Sequence, residues 1–260
     1  MVAVWTGAIT FGLVTIGCTL HRATRDRSVS FHQIHQCGGR IRYRKFCERE
    51  SREVPSAEIS SAYDYAGRLV PMTDDDLDNL PLTSARQLEI QQFVPIKDID
   101  PVAVGRAYYV HPEPVAERAY TLLRDVLAET DRAALGTLTL RGRERLTLLR
   151  QEGSLLVAHL LYWPDEINPA SDHVPPAGAA PHPNERQMAR TLVEAMSGDL
   201  HPEQWRDRYR EAVEARIADK LAGRPPEAEA EAVAEPVSDL EAALRKSINE
   251  ARTGRKRPTS

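Results

Sequence analysis

Apolar and polar residues follow two different rhythms along this chain, and the change from one to the other falls near residue 164. Before it, short period-two runs mix with one clear helix. Ile9, Phe11 and Leu13 alternate with other residues, and the phase then flips to Val14, Ile16, Cys18 and Leu20. Alternation marks a strand with one buried face, and the flip predicts a bulge or bend near Gly12. Residues 29–35 and 40–46 read as two strands around a turn at Gln36-Cys37-Gly38-Gly39. Thr73 ahead of Asp74, Asp75 and Asp76 has the form of a helix cap and first turn. Residues 117–129 form a predicted helix with Tyr120, Leu123 and Leu127 on one face. Three more strands are expected at 134–140, 145–149 and 155–161.

Residues 168–183 are rich in Pro and Ala and read as a loop. Helical spacing then takes over. Asn184 can cap a helix carrying Met188, Leu192 and Met196. Pro202 stands at a helix start, and Trp205, Tyr209, Val213, Ile217 and Leu221 recur every four residues until Gly223. Residues 224–236 have the Pro, Ala and Glu composition of a linker. A last helix is expected over 237–251, with Ser238 and Glu241 at capping-box spacing and Leu240, Leu244 and Ile248 as a narrow apolar stripe. A helix this short is marginal alone and needs something to dock on. The whole reads as α+β.

Composition narrows the class. Hydrophobic residues make up 42% of the 260 and charged residues 28%, so part of the chain folds and part stays solvated. No run of 18 apolar residues exists to span a membrane, and the N-terminus reads as a strand, not a signal peptide. Three cysteines argue against a disulfide framework and fit a reducing cytosol. The net charge is −4, but the charges are sorted: residues 22–52 hold nine basic and three acidic, 53–100 hold three basic and ten acidic, and the last twenty hold six and two. Such sorting can make a positive face on an acidic molecule.

Motifs for catalysis are missing: there is no Walker loop, no G-x-G-x-x-G and no G-x-S-x-G. Asp74–Asp76 reads as a solvated helix start, since neighbouring helical positions point apart. His32, His35, Cys37 and Cys47 do not form paired zinc knuckles: Cys47 is followed by Glu48, Arg49 and Glu50. What stands out is Arg40, Arg42 and Arg44, with Lys45 beside them. On a strand the three arginines share one face at ~7 Å steps, close to the phosphate spacing of one DNA strand. A solvated face paired with the acidic segment has the same pattern. Arg141, Arg143 and Arg145 repeat it, and two such stripes can line one groove. Their contacts would go to phosphates, without reading sequence.

At these residues the chain resembles the bacterial Ku family. The matching stretches include Trp5 to Val14, Phe31 to His35, Arg40 to Tyr43, Met72 to Leu77, Arg141 to Glu144 and Trp163 to Glu166. They run in order over about 1–222, and 239–245 is similar to the family's short terminal motif. The resemblance implies a β-barrel-centred Ku core over 1–180, a helical arm over 184–223, and a tethered helix with a basic tail over 237–260. It implies a non-enzymatic homodimer, without metal or cofactor, that encircles ends of double-stranded DNA independently of sequence. It also implies recruitment of an ATP-dependent DNA ligase of the ligase D type for non-homologous end joining, in the bacterial cytoplasm at the nucleoid. Arg40, Arg42, Arg44, Lys45, Arg141, Arg143 and Arg145 are the expected DNA contacts. Leu240, Leu244 and Ile248 are the expected partner contacts. Some members of that family carry C-x-x-C where this chain has Cys47 and Glu50.

Overall fold

The computed structural model of the chain describes residues 2–78, 80, 86–140, 142–178, 180–225 and 239–254. It divides into two compact units, Met1–Arg27 with Phe31–His173, and Ser28–Ser30 with Val174–Ser260.

The first unit starts as a hairpin. Strand β1 (Trp5–Phe11) pairs antiparallel with β2 (Val14–Arg22), and Phe11 faces Val14 across the turn. Gly12 takes that turn at φ +58°, where a side chain would be strained. The phase flip is therefore a two-residue turn and not a bulge. Beyond residue 28 the chain runs over the surface. The strands expected at 29–35 and 40–46 are reduced to one bridge, Ile34 to Arg40, with Ile41 N–H donating to Gln33 O at 3.0 Å. Residues 30–46 are exposed throughout. With no second layer to take Phe31, Ile34 and Tyr43, nothing holds a longer ladder in place. Two small hairpins follow, β3 (Phe46–Cys47) with β4 (Arg52–Glu53), and β5 (Ser61–Tyr65) with β6 (Arg68–Met72). Helix α1 (Asp74–Asp78) begins as its cap predicts. Asp76 N–H donates to Thr73 Oγ1 at 3.1 Å, and Thr73 N–H to Asp76 Oδ2 at 2.8 Å.

The remaining strands complete a closed barrel: β7 (Gln87–Pro95), β8 (Val104–Pro112), β9 (Arg132–Leu140), β10 (Arg143–Glu152) and β11 (Leu155–Leu161). The order around it is β1-β2-β8-β11-β10-β9-β7, and only the closing pair, β1 with β7, is parallel. Gly136 sits where β7 bulges between Ile90 and Gln92; a Cβ there would collide with Glu89 O. The interior follows from period two. Ile16, Cys18 and Leu20 on β2, Tyr108 and Val110 on β8, Leu138 and Leu140 on β9, and Leu156 and Ala158 on β11 pack together. A smaller cluster of Ala133, Leu148 and Leu161 lies on the other face of the same strands, against Ile96 and Ile99.

Helix α2 (Glu117–Thr130) joins the end of β8 to the start of β9, so it stays at one end of the barrel. It buries Tyr120, Leu123 and Leu127 in the interior cluster. The Tyr120 hydroxyl donates to Val110 O at 3.1 Å and accepts from Leu156 N–H at 2.8 Å, binding the helix to β8 and β11.

The second unit is helical. Helix α3 (Pro183–Met196) starts at a proline, one residue before the expected cap at Asn184, and Glu185 Oε2 accepts from His182 N–H at 2.6 Å. Helix α4 (Arg208–Leu221) is capped by Asp207, which accepts from Arg210 N–H at 3.0 Å. The helix expected from Pro202 is there only a 3-10 turn, Pro202–Gln204, so Trp205 of the expected stripe lies before α4 and is 79% exposed; Tyr209, Ile217 and Leu221 on the helix are also exposed. Helix α5 (Leu240–Gly254) is capped by Asp239, which accepts from Ala242 N–H at 3.0 Å. Ser238 and most of the expected linker 224–236 lie outside the described residues, as does the basic run at 255–257. Helices α3 and α5 pack on each other. No helix among the described residues is long and apolar enough to cross a membrane.

Candidate nucleic-acid interface

Three strands carry their inward-facing series past the apolar core and into arginine. On β2 the series Ile16, Cys18, Leu20 continues to Arg22. On β8 it runs from Val110 through Tyr108 to Arg106. On β10 it runs from Leu149 through the fully buried Thr147 to Arg145 and Arg143. Alternation keeps each series on one face of its strand. The register brings these arginines to one end. Arg22 pairs with Tyr108, Val104 with Leu161, and Leu161 with Leu146. This is the end opposite α2, so the barrel is plugged by a helix at one mouth and lined with guanidinium groups at the other.

Two cavities open at the cationic mouth. One, of about 400 Å³, is lined by Arg106, Arg143 and Arg145 with Tyr108, Leu140 and Tyr162 among its walls. The other, of about 380 Å³, is lined by Arg22, Arg25 and Asp26, and shares Arg106 and Tyr108 with the first. No ion pair engages Arg22, Arg25, Arg106, Arg143 or Arg145 among the described residues. Glu144, between the two β10 arginines, falls on the opposite face of the strand. Unpaired cations gathered at one mouth attract an anion before any contact forms.

The expected contact residues fall in two places. Arg143 and Arg145 are at the mouth, while Arg141 lies outside the described residues. Arg40, Arg42, Arg44 and Lys45 sit on the exposed segment before β3, where Lys45 O accepts from Val54 N–H at 2.8 Å. Arg44 pairs with Glu53 at 2.9 Å, both exposed. Sequence reasoning passed over Arg22, Arg25 and Arg106. For Arg22 and Arg106 the signal was present, since each extends an alternating apolar series by one step.

The titratable groups of the barrel wall do a different job. Burial pushes the Cys18 thiol up to about 12. His159 is pushed below its usual range by burial and then by Arg150, whose Nε donates to His159 Nε2 at 3.1 Å. His21 is lowered by burial and by His111, whose ring packs edge-on at 4.7 Å. Each of the three shifts favours the neutral form of its group. In the surface turn, Cys37 Sγ lies 3.1 Å from His35 Nδ1. Among the described residues no three His, Cys, Asp or Glu side chains stand where they could hold a metal ion.

The stripe on α5 is graded. Ile248 is buried, Leu244 half-buried and Leu240 exposed. The half-buried positions of its neighbour α3 are Glu185, Met188, Ala189, Thr191, Leu192 and Ala195.

Residues 10–190 match the family model of the Ku70/Ku80 beta-barrel domain. The chain is similar to proteins named "Non-homologous end joining protein Ku". It is 45% identical over 259 residues to that of Streptomyces griseus, covering 98% of this chain and 65% of the relative. It is 41% identical over 264 residues to that of Frankia casuarinae, with 98% and 65% covered. To that of Mycobacterium tuberculosis strain H37Rv it is 38% identical over 229 residues, with 86% and 84% covered. The chain thus spans just under two thirds of the length of the first two relatives.

Proposed function

The chain belongs to the Ku family, and from that premise we propose that it binds ends of linear double-stranded DNA as a homodimeric ring in non-homologous end joining. It grips the sugar–phosphate backbone, independently of sequence and without catalysis, and recruits an ATP-dependent DNA ligase. The observation that carries the DNA reading is the arginine-lined mouth of the barrel, with Arg22, Arg106, Arg143 and Arg145 converging from three strands. The exposed run Arg40, Arg42, Arg44 and Lys45 adds a second cationic element. Guanidinium groups that meet phosphates fix position and carry no sequence information. The relatives' name supports the pathway.

Dimerisation is supported by apolar surface left uncovered in each unit. In the first, Phe31, Tyr43 and Leu69 stand exposed; in the second, Trp205 and Leu221 do. A second copy related by a dyad is the simplest cover for such patches. Ligase recruitment is supported by α5, an amphipathic helix whose Leu240 remains exposed at the start of its stripe.

The test is a mobility shift with linear and covalently closed circular DNA of equal length. The expected result is binding to the linear form alone, of any sequence. Equal binding to both forms would reduce the protein to a generic basic-patch binder, and no binding to either would leave a protein–protein scaffold. Cleavage of labelled DNA in magnesium would point to a nuclease. Replacing Arg42 and Arg44 with Glu is expected to weaken binding to all sequences alike and to flatten its dependence on salt.

A further inference from the structure

The cavity bounded by Arg106, Arg143 and Arg145 is too small for the ligand proposed above. At about 400 Å³ it falls in the range of small-molecule sites, ~300–1,000 Å³. A duplex, with a major groove alone ~12 Å wide, can meet these arginines at the rim of the mouth but cannot enter the cavity. Its chemistry is nonetheless that of a nucleic-acid component. Three guanidinium groups from two strands line it, and no Asp or Glu is among its described lining residues. The other lining residues are apolar or aromatic, among them the buried Tyr108 and Leu140 and the half-exposed Tyr162 just after β11.

We propose that this cavity is a subsite for one nucleotide bearing a terminal phosphate monoester, the end residue of a DNA strand. This rests on the reading of the chain as a DNA-end binder and adds the group at the end that is recognised. The charge count favours the monoester over the internal backbone. A phosphate monoester carries about −1.5 to −2 near neutral pH, its second pKa being near 6, whereas an internal diester carries a single charge. Three arginines without a carboxylate among them fit the more highly charged group, and guanidinium forks match phosphate oxygens in pairs. The base then meets Tyr162, on which any of the four can stack, because every base has a π-face. The subsite therefore selects for the phosphate and not for the base. Arg22 and Arg25 line the adjoining cavity, across the shared Arg106 and Tyr108, where the next phosphate of the same strand can follow.

The experiment uses the full chain and short single-stranded oligonucleotides of one sequence, carrying a 5′-phosphate, a 3′-phosphate or hydroxyls only, in fluorescence anisotropy. Free deoxyadenosine monophosphate, deoxyadenosine and inorganic phosphate are titrated by calorimetry. At least one phosphorylated strand is expected to bind about tenfold tighter than the hydroxyl strand, as charge-assisted hydrogen bonds allow. The mononucleotide is expected to bind more tightly than the nucleoside or the phosphate alone. Arg106→Gln and Arg145→Gln should each reduce the phosphate advantage several-fold, and Tyr162→Ala should remove the mononucleotide's gain over phosphate. Thermal melting of each variant separates loss of contact from loss of fold. Equal affinity of the phosphorylated and hydroxyl strands for the unaltered protein overturns the subsite, and so does an advantage that survives both arginine substitutions in folded protein. If linear DNA is still chosen over circular while the phosphate preference is absent, only the subsite fails; if that choice is lost, the end-binding reading fails first.

Discussion

Tyr120 holds the plugged end of the barrel through one oxygen atom. Its hydroxyl accepts from Leu156 N–H and donates to Val110 O, serving two strands at once. Burial raises the phenol above its usual range, so it stays a neutral donor and acceptor at any physiological pH. Removing the oxygen leaves a buried amide and a buried carbonyl without this partner, and an unsatisfied buried group costs about 1–3 kcal/mol. Tyr120→Phe is therefore expected to destabilise the chain by about 2 kcal/mol, seen as a lower urea midpoint with an unchanged slope. At the other mouth the residue logic reverses. Arg22, Arg106, Arg143 and Arg145 occupy positions that the strand pattern reserves for apolar side chains. Charges on an inward-facing series weaken a barrel unless that end is open to solvent or to a ligand. Residue by residue, this run of arginines at the end of apolar series is the departure from folding logic that points to function.

Among the elements, the strands and helices with a partner followed their periodicity. The expected strands at 134–140, 145–149 and 155–161 form as β9, β10 and β11, lengthened at some ends by a few residues, and the helix at 117–129 forms as α2. The run over 40–46 alternates just as well but forms no strand before Phe46, because alternation needs a layer to bury against. Helix α4 forms with its apolar stripe largely in solvent, so periodicity told its conformation but not its cover. Helix α5 finds its cover on α3, in the same chain. Its expected partner contacts are thus unequal: Ile248 is committed to the intramolecular contact, while Leu240 is available. A chain truncated after Gly223 should still bind DNA ends and should lose stimulation of an ATP-dependent ligase. The measurement is end-joining in the presence and absence of the truncated protein, and ligation that rises equally with both forms would remove α5 from that role.

At the scale of the whole molecule, the uncovered apolar residues of both units predict self-association. Light scattering after size exclusion is expected to report twice the chain mass. Trp205→Glu together with Leu221→Glu should shift that mass toward the monomer, each buried apolar side chain at such an interface contributing about 1.5–3 kcal/mol. A monomer mass for the unaltered chain at micromolar concentration would remove the ring from the proposed function. Much was legible before any coordinates. Alternation and four-residue spacing placed most elements of the barrel and the helical unit, and the ordered motifs identified the family, because both are local properties of the chain. The arginine mouth was not legible as a unit. Period two says which face of a strand a residue takes, but not which strand lies beside it or which end of the sheet it reaches. Arg22, Arg106 and Arg145 are separated by 84 and 39 positions in the sequence. Only closure of the barrel, with Arg22 set beside Tyr108 and β11 laid between β8 and β10, brings them together. That neighbourhood is set by the register of long-range backbone pairing, and no stretch of the sequence contains it.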